Sequence, residues 1–114
     1  MAQQLPEIQG KRPDSKEEVW IAQALYKYKI QFIFQYAVIP HIRRGFIVDF
    51  LLVQTNTPLE VYGNYWHENE LPGGDIIRLN SIKEYFGVEP LVVWGNELKT
   101  AQDADSWVRR NVAR

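Results

Sequence analysis

The sequence predicts an α/β sandwich built on one mixed, four-stranded sheet flanked by helices. Three observations predict it. The 114 residues are 46% hydrophobic, enough for one compact core and too few for two domains. Helical and strand-like periodicities alternate along the chain in the order α-β-β-β-α-β-α. The first three strands follow one another through short turns. A helix separates the third from the fourth, which makes a mixed sheet the natural outcome.

Residues 1–13 are polar, with Pro6, Gly10 and Pro13, and read as a flexible N-terminal arm; residues 14–114 read as the domain. A helix is expected from Ser15 to about Lys29. Ser15 and Glu18 have the spacing of a capping box, and Val19, Ala22, Leu25 and Tyr26 give an apolar face. Ile30–Ile39 is aromatic and β-branched, a strand that Pro40 ends. His41–Gly45 is a basic turn leading into Phe46–Val53, which is apolar almost throughout. Gln54–Pro58 is turn-rich, and Leu59–Tyr62 forms the third strand. A loop carrying Tyr65, Trp66 and His67 runs to Gly73-Gly74. Asp75 then stands as an N-cap, with Ile76, Leu79, Ile82 and Phe86 at helical spacing and Gly87 as the C-cap. Leu91–Trp94 is a short buried strand. Thr100 and Asp103 start a last helix with Ala104, Trp107, Val108 and Val112 on its apolar face.

Composition narrows the chemistry. The absence of cysteine excludes disulfides, thiolate zinc sites and a cysteine nucleophile. No apolar run is long enough to span a bilayer, and the N-terminal residues lack the regions of a secretory signal, so a cytoplasmic protein without membrane contact is expected. The net charge of −1 is not that of a broadly basic nucleic-acid binder, although Arg43-Arg44 and Arg109-Arg110 gather charge locally.

The chemistry concentrates between Gly45 and His67. Asp49 and Glu60 each interrupt an apolar strand, and a buried carboxylate is costly unless something positive meets it. On neighbouring strands the two can converge on one divalent ion. Mg²⁺ takes hard oxygen ligands, often only one or two carboxylates, and the backbone carbonyl of Val61 stands beside Glu60. Glu18, on the preceding helix, is a third acid within reach of the same mouth, besides its role in the capping box. Such a centre serves phosphodiester hydrolysis. Asp75 and Arg78 read as an N-cap and a helix-surface pair.

At these residues the chain resembles the PD-(D/E)XK nuclease superfamily, and within it the very-short-patch repair endonuclease-like small nucleases. The resemblance is carried in order by Ser15-x-x-Glu18-x6-Leu25, the strand of Gln35, Val48-Asp49-Phe50, Glu60 to His67 (EVYGNYWH), and Asp75-x-x-Arg78. It spans roughly Ser15 to Trp94. It implies a restriction-endonuclease-like αβββαβ(α) core and a Mg²⁺-dependent endodeoxyribonuclease that cuts or nicks DNA, with Mn²⁺ able to substitute and no zinc. The metal ligands it implies are Asp49, Glu60 and the carbonyl of Val61. It further implies that Glu18 orients the attacking water, that His67 carries a proton, and that Tyr65 and Trp66 touch DNA. Arg43 and Arg44, at a basic hairpin tip, are candidate phosphate contacts. The chain departs from the pattern at Tyr62, where the superfamily often has lysine. Two other functions stay open: a nuclease fold retained only for binding DNA or protein, and a junction resolvase or recombination subunit. A domain this small is expected to work as a homodimer or with a partner chain.

Overall fold

The computed structural model describes residues 4–38, 45–63 and 73–113. Its elements are α1 (Lys16–Lys27), β1 (Phe32–Val38), β2 (Phe46–Leu52), β3 (Thr57–Tyr62), α2 (Gly73–Phe86), β4 (Leu91–Trp94), a 3-10 turn (Gly95–Glu97) and α3 (Ala101–Asn111). The strands lie in the order β1-β2-β3-β4. The first two pairings are antiparallel, and β4 runs parallel to β3 after the α2 crossover. The mixed sheet and element order are those expected.

The helix ends follow from local chemistry. Ser15 caps α1 by accepting the Glu18 N–H at 3.3 Å. The C-terminus of α1 closes with a Schellman-type bond from Ile30 N–H to Leu25 C=O (2.9 Å), and Lys29 takes the left-handed conformation usually given to glycine. Thr100 and Asp103 form a reciprocal capping box on α3. Between β2 and β3, Asn56 N–H bonds back to Val53 C=O, with Asn56 left-handed, so the turn is shorter than expected. Thr57 and Pro58 therefore belong to β3, where Pro58 lies opposite Leu51. The helix α2 begins at Gly73, so Asp75 lies in its first turn, where a carboxylate favours the helix dipole, and is not the N-cap.

The main core lies between the sheet and the α1/α3 pair. Ile21, Leu25, Phe34, Phe50, Leu59 and Val108 are all fully buried in it. Burial of side chains this size stabilises by about 1.5–3 kcal/mol each. Trp107 and Val108 of α3 belong to this core, so the last helix packs inward. Tyr26, expected on the buried face of α1, is 55% exposed; Ile21 and Ala24 are buried instead.

The other sheet face carries a smaller cluster: Val48, Leu51 and Ile82, with Tyr36, Phe46 and Phe86 against them. Its membership exposes a break in the strands. With unbroken period two, residues 48 and 50 share a face, as do 34 and 36. Here Phe34 and Phe50 join the main core, while Tyr36 and Val48 join the small one. The change falls on the Gln35–Asp49 row. Gln35 has φ of 52°, which costs an L-residue about 1–2 kcal/mol. The register keeps the same offset on both sides, Phe34↔Phe50 and Tyr36↔Val48, so no residue is inserted.

Residues 4–13 lie along the outer edge of β1. A tight hairpin, Ile8 to Lys11, turns through Gln9 and Gly10, both at positive φ. The Gln9 side-chain amide then acts as a ladder rung: its Oε1 accepts the Phe34 N–H and its Nε2 donates to Phe32 C=O, both at 2.8 Å. Lys11 Nζ donates to Phe34 C=O at 2.8 Å. These bonds occupy an edge that would otherwise offer unpaired backbone groups.

Candidate active site

The site forms where the β2–β3 ladder stops. The ladder runs Leu52↔Thr57, Leu51↔Pro58, Phe50↔Leu59 and goes no further. The next row would set Asp49 against Glu60. Their side chains take over the backbone's bonds: Asp49 N–H donates to Glu60 Oε2, and Val61 N–H donates to Asp49 Oδ2, each at 2.8 Å. Glu60 is fully buried. Burial raises the pKa of both groups, and the neighbouring Asp49 charge raises that of Glu60 further. Two neighbouring carboxyls in low dielectric favour a retained proton or a bound cation over two free charges.

Glu18 comes to the same place from the first turn of α1. Its Oε1 accepts the Asp14 N–H at 2.9 Å, turning the side chain back over the helix start, where it is 5% exposed. It thus caps Asp14, not Ser15, and the capping box is only half formed. Burial, opposed by that backbone bond and assisted by Asp49, lifts its pKa to about 7. Glu18, Asp49, Glu60 and Val61 line one pocket of about 260 Å³, together with Asp14, Ser15, Glu17, Tyr62, Gly63 and Arg78.

Among the described residues of that lining, Arg78 is the one cation, against five acids. It is not the helix-surface residue expected. Its Nε lies 2.9 Å and a terminal nitrogen 2.8 Å from Glu60 Oε1, and the same terminal nitrogen donates to the carbonyl of Ile47. The helical pattern does hold a sign of this, since Arg78, Ile82 and Phe86 share one face at intervals of four.

The expected ligands Asp49, Glu60 and Val61 and the expected acid Glu18 are thus brought together. Arg43, Arg44, Tyr65, Trp66 and His67 lie outside the described residues. Among the described residues, no group of three or more His, Cys, Asp or Glu is placed to hold a metal ion. No described helix is long and apolar enough to cross a membrane.

The architecture is an α/β fold of the restriction-endonuclease-like class. One solved structure similar to the chain is the catalytic domain of the homing endonuclease I-Bth0305I, with a TM-score of 0.56 and 20% sequence identity over 82% of this chain and 90% of that one. At that identity the likeness establishes the fold. No protein-family model and no curated protein sequence matches the chain.

Proposed function

We propose that the chain is a divalent-metal-dependent nuclease that hydrolyses DNA phosphodiesters. The observation that carries this reading is the pocket at the end of the ladder, where buried Glu18 and Glu60 meet half-buried Asp49 and, among the described residues, Arg78 is the one cation lining it. The donor set suits a hard cation. Two carboxylates with backbone and water oxygens are what Mg²⁺ commonly takes, so Asp49 and Glu60 are a sufficient pair of acids. Asp49 and Glu60, with the Val61 carbonyl, would hold the ion. When bound, it would neutralise charge on a phosphodiester and ease the ionisation of water.

The chain's own residues supply the rest. A carboxyl group with its pKa near neutrality, as at Glu18, exchanges a proton at working pH, and Glu18 has one oxygen committed to Asp14. His67 is proposed as a second proton carrier. Arg43, Arg44, Tyr65 and Trp66 are proposed to meet the phosphates and bases, with a second copy or partner chain extending the grip.

The test is conversion of supercoiled plasmid to nicked or linear form in Mg²⁺ or Mn²⁺, with Asp49→Asn as control. The reading predicts cleavage that needs the metal and disappears in the variant. Cleavage by Asp49→Asn at the wild-type rate would overturn it. One observation favours a second reading, a nuclease fold retained for binding: both oxygens of Glu60 already have internal partners. That reading predicts DNA binding unchanged by Asp49→Asn and by chelators.

A further inference from the structure

Between β2 and β3 the backbone ladder ends at Phe50↔Leu59, and the next row is held by side chains alone. Those side chains are two acids that repel each other when ionised. Something must fix their spacing. Arg78 reaches both strands at once, touching Glu60 of β3 and the carbonyl of Ile47 in β2. We infer that Arg78 is the positioning residue of this site: by bridging Glu60 to the Ile47 carbonyl, its guanidinium holds the separated strand ends at the width that lets the Asp49 and Glu60 carboxylates stand in for ladder bonds.

Three features support this role. The planar guanidinium can present several N–H groups to two acceptors from one rigid fork, which a lysine ammonium on a flexible stem does not reproduce. The residue is well anchored. Ile82, one turn further along the same face of α2, is fully buried, and Phe86 packs beside it in the small cluster. Finally, among the described residues Arg78 alone lines the site as a cation. The geometric claim concerns the resting protein. Its consequence for turnover rests on the nuclease reading above.

The experiment compares wild type, Arg78→Met and Arg78→Lys in amide hydrogen exchange, Mn²⁺ calorimetry and plasmid cleavage. In metal-free Arg78→Met, exchange at the Asp49 and Val61 amides is expected to speed up by about tenfold or more, while the core amides of β2 and β3 stay near wild type. Mn²⁺ affinity is expected to hold or tighten, because the pocket loses a competing cation. The kcat at saturating Mn²⁺ is expected to fall by about 10–100-fold through misplacement of the acids. Arg78→Lys is expected to recover part of that loss, since it restores the charge without the fork. Unchanged exchange at Asp49 and Val61 would overturn the inference. So would faster exchange spread through the whole sheet, which would make Arg78 a general prop. If exchange changes as stated while wild type cleaves no DNA, positioning by Arg78 stands and the nuclease reading fails.

Discussion

From Phe50 to Leu52 the second strand pairs with the third through an ordinary antiparallel ladder, and its side chains close the cores on either face. One row further, at Asp49 and Glu60, the same two strands part, and carboxylates take the backbone's place. The first half satisfies every rule for burial. The second breaks one by burying like charges together. The difference teaches that the regular half is what makes the irregular half possible: Phe50 and Leu59, fully buried, flank the acids directly in sequence and fix where they emerge. The half that gathers reactive charge is thereby separated from the half that supplies stability.

Substitutions at the two ends should therefore act in opposite ways. The largest effect is expected at the ladder. Phe50→Ala should destabilise the protein by about 3–5 kcal/mol in denaturant unfolding, through lost burial and the cavity left behind. At the acid end, Asp49→Asn should reduce cleavage by about 100-fold or more, yet leave the metal-free protein as stable or slightly more so, because it relieves like-charge repulsion. Equal destabilisation by the two changes would erase the distinction between the halves.

A pH series sharpens it. Glu18 has its pKa raised on folding to about 7 from the ordinary carboxyl value of 4.5, so the folded state binds the proton more tightly than the unfolded chain. The associated stability is present below the unfolded pKa and is lost as pH rises through the folded one. Glu18 should account for a fall of about 2 kcal/mol in the unfolding free energy of the metal-free protein between pH 5 and pH 8, added to the falls from the raised Asp49 and Glu60, so the slope should become shallower in Glu18→Gln. The smallest effect is expected far from the site, where Gln9→Ala removes two bonds from the β1 edge and should cost about 1–2 kcal/mol in thermal or denaturant unfolding.

Much of this was legible in the residues. Periodicity placed every strand and helix in order, although on α2 the expected face is only partly buried, with Ile82 inside and Ile76 48% exposed. Asp49 and Glu60 stood out as acids in strands that are otherwise apolar, and the structure brings the two together. What escaped is what tertiary contact creates. Arg78 looks like a surface residue until β2 and β3 are seen to diverge in front of it. The left-handed backbone at Gln35 has no composition signal, since glutamine is not a residue that favours positive φ. Pro58 argued for a turn because proline cannot donate to a ladder, yet it lies within β3. The docking of Gln9 on β1 depends on one amide mimicking a backbone, which no periodicity records.

The central claim is that the acids at the end of the β2–β3 ladder are gathered to hold a divalent cation. The most direct measurement is anomalous diffraction from crystals soaked in Mn²⁺. A single strong peak against Asp49, in the pocket shared with Glu18 and Glu60, is the predicted result. An empty pocket at saturating Mn²⁺, with Arg78 and both carboxyls unmoved, would contradict it.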